Sequence, residues 1–293
     1  MRTYDVKRMR ADIFSAKVFK FCAAVLAVII IALIFFMAQQ GLKTFGDVSF
    51  AEFFLSSKWS PDTGQYGAAS FIVGSLLVTF FATIIGGPLG ILGAIFIVKL
   101  APKWSKELLQ VTINLYMAIP SVVYGFIGLT VVVPFVRNFF GVTGGFGLFT
   151  ASAILAIMIL PTVIGISADA LKTVPSMIEE ASYGLGATYW QTIWKVVIPT
   201  ALPGLVTAII LGMARAIGET MAVQMVIGNT PQLTFDLFTP TTTLPSEIVV
   251  EMGNTPFGST WGNSLFLMAL VLLLISLFMI LLVRKISSMK EVK

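Results

Sequence analysis

The chain has 293 residues, of which 57% are hydrophobic and only 11% are charged, and its mean hydropathy is +0.95. Soluble domains carry about a quarter charged residues, so this composition excludes an ordinary soluble domain and predicts a polytopic membrane protein. The sequence has no histidine, and its single cysteine, Cys22, lies in the first apolar run. His-based catalysis, a disulfide framework and a thiolate metal site are therefore excluded. The absence of a Gly-x-x-x-x-Gly-Lys-Ser/Thr motif excludes ATP binding through a P-loop.

The first apolar run covers residues 21–38 and follows six basic residues. It is longer than the apolar region of about 7–15 residues in a signal peptide, and no convincing cleavage site follows it. We therefore predict a retained first helix with its N-terminus inside. A polar loop over residues 39–69, which contains Trp59-Ser60-Pro61, comes next.

Five further apolar runs are long enough to span a membrane, so we expect an all-α bundle of six transmembrane helices. In the first of the five, Gly86, Gly90 and Ala94 lie four residues apart, a spacing typical of a helix face that a second helix approaches closely. After a short basic loop over residues 99–110, the next run is interrupted by Pro120-Ser121, which predicts a broken helix. A second stripe of small residues comprises Gly204, Ala208, Gly212 and Ala216. The five runs cover about residues 70–98, 111–136, 148–168, 202–227 and 261–283.

The distribution of basic residues predicts the orientation of the bundle. Six spans put both termini on one side, and fifteen of the 19 Lys and Arg residues fall on that side. Three fall on the opposite side, and Arg215 lies inside a span. Because cytoplasmic loops carry excess Lys and Arg, both termini are predicted to be cytoplasmic. The chain then divides into a cytoplasmic N-terminal segment, a first helix with its outer loop, a helical core and a cytoplasmic tail, at residues 1–20, 21–69, 70–285 and 286–293.

Residues 176–199 form a polar segment with helix signals between long apolar runs, on the predicted cytoplasmic side. Ser176-x-x-Glu179 and Thr188-x-x-Gln191 match the capping-box pattern, so we predict two short helices, with Gly184 and Gly186 supplying a permissive backbone between them. From these residues alone, the segment either packs on its own bundle or docks on another protein. The second helix carries an apolar face at i, i+3, i+4 and i+7, formed by Trp190, Ile193, Trp194 and Val197.

A charged pair is predicted inside the fifth span. Arg215 lies about thirteen residues into it, near the middle of the membrane, where an ionisable residue is a functional candidate because its burial is costly. Glu219, at i+4, is expected to share a helix face with Arg215, and the two can pair there. Two interpretations stay open at this point. The pair is either self-neutralising and structural, or part of an anion path, since a guanidinium matches the oxygens of phosphate.

In the anion-path interpretation, Glu219 accepts a hydrogen bond from a protonated phosphate, a proton that sulfate lacks at neutral pH. The break at Pro120 would expose helix N–H groups to the anion, and Ser121 would add a hydroxyl. A packing kink explains the same break equally well. Thr220, which follows Glu219, completes the set of candidate path residues.

The last long loop, residues 228–260, contains four prolines and no Lys or Arg. A short amphipathic pattern over residues 245–252 predicts a small surface helix or a re-entrant helix. The charged residues of the loop are acidic: Asp236, Glu247 and Glu251.

The cytoplasmic segment also resembles a known family. Glu180-Ala181-Ser182, then Gly186, then Val196-x-Ile198-Pro199 are similar to the EAA loop of binding-protein-dependent ABC importer permeases, with Ser182 in place of the second alanine. The resemblance implies a MetI-like type I importer bundle, in which this loop is a coupling helix that sits in a cleft of a separate ATPase subunit. It implies that the ATPase, and not this chain, binds ATP and Mg²⁺. It assigns ATPase docking to Glu179, Glu180, Ala181, Ser182 and Gly186.

Within that family, further motifs resemble the phosphate-specific permeases, and two of them resemble the PstC type rather than the PstA type. The resemblance implies a multi-pass subunit of the inner membrane that performs no covalent chemistry, holds no cofactor and binds no nucleic acid. It implies as partners a PstA-type permease, a dimer of ATPase subunits, an extracytoplasmic phosphate-binding protein and membrane lipid. The phosphate-type motifs are residues 119–125, 159–161, 170–175 and 215–220, and the PstC-type motifs are residues 221–229 and 59–61.

Alternatives remain within and outside this class. A PstA-like paralogue, or a permease for molybdate, sulfate or another oxyanion, keeps the class and changes the role or cargo. An ion-coupled secondary transporter or channel would predict internal repeats and ion-site carboxylates in the spans, where the sequence offers only Glu219 and the membrane-edge Asp169. An intramembrane enzyme would need histidine, a Ser/Lys dyad or paired aspartates.

Overall fold

The computed structural model of the protein describes residues 6–288, with the side chains of residues 13–282 and of Lys285. The ends of the predicted N-terminal segment and of the predicted tail lie outside the described residues. Six helices in the described part are long and apolar enough to cross a membrane, which confirms the expected all-α, six-span architecture. These candidate spans are Ile13–Gly46, Ala69–Leu100, Ser121–Phe140, Leu148–Lys172, Tyr189–Ile217 and Thr260–Leu282.

Within residues 6–288 the regular elements are mostly helical, with one small antiparallel hairpin. In the same range three helical stretches have π geometry, at Phe96–Leu100, Gly128–Val132 and Ile193–Val197. The hairpin pairs β1 (Trp59–Ser60) with β2 (Gln65–Tyr66). The helices are α1 (Val6–Leu42), α2 (Phe50–Leu55), α3 (Ala69–Ile95), α4 (Lys103–Ala118), α5 (Ser121–Ile127), α6 (Val133–Phe140), α7 (Leu148–Lys172), α8 (Ser176–Gly184), α9 (Tyr189–Thr192), α10 (Ile198–Ile217), α11 (Met221–Gln224), α12 (Leu244–Met252) and α13 (Thr260–Ser288).

Small residues hold α3, α7 and α10 together at the centre of the bundle. A Cβ atom added at Gly86 would lie 2.8 Å from Cγ1 of Ile159 on α7, and one at Gly90 would lie 2.6 Å from Cγ1 of Val163. On α10, a Cβ atom at Gly212 would lie 2.8 Å from Cγ2 of the same Val163. Both predicted small-residue stripes therefore face α7, because only hydrogen at these positions allows the backbones to approach so closely.

The third span differs from its prediction. The apolar run over residues 111–136 is divided at Pro120, and the basic loop before it is helical rather than irregular. Its first part belongs to α4, which has no buried residue, whereas the candidate span begins at Ser121 with α5. The division has a local cause, since proline cannot donate the backbone hydrogen bond that would continue α4.

The fifth span also differs. It begins at Tyr189, and α10 ends at Ile217 rather than continuing to Ile227. Gly218 closes the helix, and the short α11 follows after a three-residue break. Hydropathy does not detect this break, because residues 221–227 are again mostly apolar.

The opposite end of the bundle from residues 172–199 carries a compact layer built from the first loop, α12 and the start of α13. Glu251 on α12 joins its parts by accepting hydrogen bonds from the indole N–H groups of Trp59, at 3.0 Å, and Trp261, at 2.7 Å. The short helix predicted over residues 245–252 is confirmed as α12, but its first residues are buried rather than on the surface. The layer encloses a second apolar core around Phe53, Phe71, Leu244, Leu265 and Met268.

Candidate functional site

Arg215 projects from the last turn of α10 towards the middle of α7. Its Nη1 donates a hydrogen bond of 2.8 Å to Oγ1 of Thr162. Thr162 lies fourteen residues after Leu148 and ten before Lys172, or roughly 21 Å and 15 Å along the helix at about 1.5 Å per residue. The guanidinium of Arg215 is therefore held near the middle of a spanning helix, although its own helix ends two residues later.

Glu219 does not form the expected helical pair with Arg215. An i, i+4 pair needs continuous helix, and α10 stops at Ile217 between the two residues. No ion pair joins Arg215 to Glu219 among the side chains that the structure describes. The arginine is instead bound to α7, and the carboxylate belongs to the break that follows α10.

The carboxylate of Glu219 caps α11, and its side chain lines a cavity of mixed polar and apolar residues. Its Oε1 accepts a hydrogen bond of 3.3 Å from the backbone N–H of Ala222. The side chain lines a small cavity of about 10 Å³, enough for about one water molecule, between α3, α7 and the start of α12. Three hydroxyl-bearing residues share the cavity with it: Ser75, Thr79 and Thr243. The break in the fifth span therefore brings one carboxylate and several hydroxyl groups together inside the bundle.

Ser121 and Thr220 lie at the starts of two neighbouring segments. Glycines of the third span lie against α11, Gly125 with Ala222 and Gly128 with Val226, so α5 and α11 run side by side in the same direction. Ser121, the first residue of α5, and Thr220, which precedes α11, therefore start from the same level of the bundle. Within the described side chains neither hydroxyl bonds to Arg215 or Glu219, and that of Thr220 donates to the Gly218 carbonyl at 3.4 Å.

Tyr124 belongs to the phosphate-type motif at residues 119–125 and bridges the break at Pro120. Its side chain is buried and its hydroxyl donates to the carbonyl of Tyr116 at 2.7 Å, across the Pro120 break. The two rings meet edge to face, with centroids 5.3 Å apart.

Residues 176–199 form the two short helices that were predicted, α8 and α9, but only one of the two predicted capping boxes. The Thr188 N–H donates to Oε1 of Gln191 at 2.8 Å, and the return bond is present at 3.4 Å. The Ser176–Glu179 box is wrong, because Pro175 occupies the N-cap position and Glu179 turns away to pair with Lys99.

Only some of the glycines and apolar residues of this segment have the role that the sequence predicts for them. Gly186 has a φ of 82° and makes the turn, whereas Gly184 is the last residue of α8. On the second helix, Ile193 and Val197 are buried against the bundle, while the indole rings of Trp190 and Trp194 are exposed. The segment thus packs on its own bundle with one face and leaves another open.

The five predicted docking residues differ in how far they are exposed to solvent. Glu180, Ala181 and Gly186 are exposed. Ser182 is buried, with its hydroxyl 3.0 Å from that of Thr192 on α9. Glu179 is largely covered and forms an ion pair with Lys99 at the end of the second span. Around the exposed residues lie four large side chains that are also open to solvent: Met177, Ile178, Tyr183 and Leu185.

The short helix α12, which is not one of the six candidate spans, contains a buried carboxyl group. Glu247 is only 4% exposed, and Thr242 donates a hydrogen bond of 3.3 Å to its Oε2. Burial, and then the neighbouring Glu251 carboxylate, raise the pKa of Glu247 to about 8. The described residues contain no cluster of three or more His, Cys, Asp or Glu placed to hold a metal ion.

Six candidate spanning helices, an arginine bound at mid-bundle and a two-helix segment with an exposed apolar face describe a polytopic membrane protein. The family profile of binding-protein-dependent transport system inner membrane components matches residues 86–289. The chain belongs to this family, and it is therefore a multi-pass membrane component of an ABC importer.

Individual relatives agree with this assignment. The chain is 48% identical over 275 residues to the probable ABC transporter permease protein YqgH of Bacillus subtilis, covering 92% of this chain and 89% of that protein. It is 36% identical over 301 residues to the phosphate transport system permease protein PstC of Haemophilus influenzae, covering 96% and 92%. A structure of the MetNI methionine ABC transporter in an inward-facing conformation matches with a TM-score of 0.53 and 25% identity, over 75% of this chain and 94% of that one. The MetI-like fold is thereby confirmed.

Proposed function

We propose that the chain is the PstC-type permease subunit of an ATP-driven importer of inorganic phosphate. The observation that carries the proposal is Arg215, a permanently charged group that Thr162 holds at mid-bundle. A guanidinium offers a planar array of donors that suits the oxygens of phosphate, and its charge is insensitive to physiological pH. The name of the PstC relative supports phosphate as the cargo. In this proposal Ser121, Glu219 and Thr220 are further residues of the path.

We further propose that α8 and the following turn dock on an ATPase subunit. The exposed Glu180, Ala181 and Gly186, with the apolar side chains around them, offer the contact surface. Ser182 and Glu179 act on the inner side: the first bonds to α9, which leads into α10 and so to Arg215, and the second bonds to the end of the second span through Lys99. ATP and Mg²⁺ belong to the ATPase dimer.

The remaining partners follow from the same proposal. A PstA-type permease forms the other half of the path, and lipid surrounds the exposed apolar faces of α1 and α13. The layer of the first loop and α12 receives an extracytoplasmic phosphate-binding protein. Both chain termini are cytoplasmic, because the great majority of basic residues lie on their side.

Purification and reconstitution test the proposal. We expect the chain to copurify with an ATPase and a second permease, and vesicles containing the complex and the binding protein to take up phosphate only with ATP. Excess molybdate or sulfate should not inhibit the uptake of phosphate. Arg215→Lys should abolish most uptake at matched protein levels, because an ammonium group does not reproduce the planar donor array. Uptake that persists without any ATPase, or that sulfate or molybdate replaces, would contradict the proposed function.

A further inference from the structure

We propose that Thr162 is itself part of the oxyanion site: its oxygen positions Arg215, and its hydroxyl hydrogen bonds to an oxygen of the translocated anion. This inference rests on the proposed function, because it presumes an oxyanion path at Arg215. It adds a residue on α7 to a path otherwise formed by the third and fifth spans.

The first argument is the way in which Thr162 differs from other threonines of the bundle. In an apolar helix, a threonine hydroxyl usually donates back to the carbonyl four residues earlier. Thr162 makes no such bond within the described structure, and its one hydrogen bond is as acceptor from Arg215. Its hydroxyl hydrogen is therefore available to another acceptor. The helical threonines that do donate to their preceding turn are Thr79, Thr83, Thr112, Thr130, Thr200 and Thr207.

The second argument is charge. A hydroxyl that accepts a hydrogen bond from a cation becomes a stronger donor through its own O–H group, because hydrogen bonds in a chain polarise one another. Arg215 uses Nη1 for Thr162 and keeps its other N–H groups for a second acceptor. A tetrahedral oxyanion can therefore receive bonds from both side chains at one point of the bundle.

The third argument is rigidity. The contact between Gly212 and Val163, one residue from Thr162 and three from Arg215, packs α7 closely against α10 beside the pair, because a Cβ atom at Gly212 would lie 2.8 Å from Cγ2 of Val163. Packing thus fixes the distance between the two donors before any anion arrives. A preformed pair binds an anion without the loss of side-chain freedom that a mobile arginine would incur.

The test uses the whole transporter in vesicles and measures phosphate moved per ATP hydrolysed. Thr162→Val keeps the shape and removes the hydroxyl, so we expect this ratio to fall about tenfold, the effect of one hydrogen bond to a charged partner. Binding-protein-stimulated ATP hydrolysis should stay near wild type, because the docking surface is untouched. Thr162→Ser restores the hydroxyl and should restore the ratio.

The matched control is Thr207→Val on α10, whose hydroxyl serves only its own helix, at 2.9 Å from the Pro203 carbonyl. We expect its ratio to match wild type. A wild-type ratio in Thr162→Val, or an equal loss in Thr162→Ser, overturns the role of the hydroxyl. The same vesicles are tested with molybdate and sulfate. If the wild-type transporter carries molybdate or sulfate but not phosphate, phosphate is refuted as the cargo. The Thr162 variants are then compared by their transport of the anion that is carried.

Discussion

The close packing of α3 on α7 can be tested by substitutions at two adjacent glycines of α3, Gly86 and Gly87. In Gly86→Ala, the new methyl group would lie 2.8 Å from Cγ1 of Ile159 and 2.9 Å from the backbone oxygen of Ala156. A backbone atom cannot rotate away, so one of the two helices must shift. In Gly87→Ala, the nearest neighbour is Cγ1 of Ile209 at 3.6 Å, an ordinary contact.

The expected difference follows from two terms of opposite sign. Replacing glycine by alanine inside a helix stabilises it by about 0.5–1 kcal/mol. Overpacking at Gly86 costs about 1–3 kcal/mol. Gly86→Ala should therefore lower the free energy of unfolding by up to about 2.5 kcal/mol, whereas Gly87→Ala should raise it by about 0.5–1 kcal/mol.

Reversible unfolding by SDS in mixed micelles, followed by circular dichroism, measures both variants against wild type. The two variants should differ by about 1–3 kcal/mol, with Gly87→Ala the more stable. Gly86→Ala as stable as Gly87→Ala, or more so, would refute the close approach of α3 and α7. That approach also positions Thr162, so the result bears on the geometry of the site.

Three further predictions concern buried polar groups. The pKa of Glu247 is raised to about 8 in the folded protein, so the folded carboxyl group keeps a proton that the unfolded one releases near its ordinary pKa. The free energy of unfolding should therefore fall as the pH rises from about 5 to about 9. Glu247→Gln should remove most of this slope in thermal unfolding scans, and an unchanged slope would contradict the assignment. Ser182→Ala should cost about 1 kcal/mol in the same scans, because it leaves the buried Thr192 hydroxyl without its partner, and no loss would show that the bond contributes nothing. Lys99→Met should destabilise by about 1–3 kcal/mol and Lys172→Met by less than about 0.5 kcal/mol, because only the Lys99 ion pair is largely covered; equal losses would argue against that difference.

The sequence predicted the number of spans and the faces on which they pack, because both depend on local composition. Runs of apolar residues reveal spans directly, and Gly86 and Gly90 reveal a contact face by their spacing alone. The turn at Gly186 and the Thr188 capping box were equally accessible, since each is decided by residues within a few positions of one another.

The site geometry was less accessible, because it depends on a helix end that hydropathy does not register. Placing Glu219 on the same face as Arg215 assumed a continuous helix, and the break after Ile217 invalidates that assumption. The partner that Arg215 does have, Thr162, lies 53 residues away in the chain, and no local pattern connects the two. The bond of Trp59 to Glu251, which are 192 residues apart, is a long-range contact of the same kind.

The π turn at Ile193–Val197 gives the connection between α9 and α10 a mechanical property of its own. In a π turn each backbone N–H reaches the carbonyl five residues back, so the turn holds more residues than an α turn of the same pitch. A regular α-helix transmits a rotation about its axis unchanged, whereas a wider π turn can take up or release part of that rotation. The helix that leads from Trp190 to Arg215 is therefore not uniform, and its π turn lies between the proposed docking segment and the centre of the bundle.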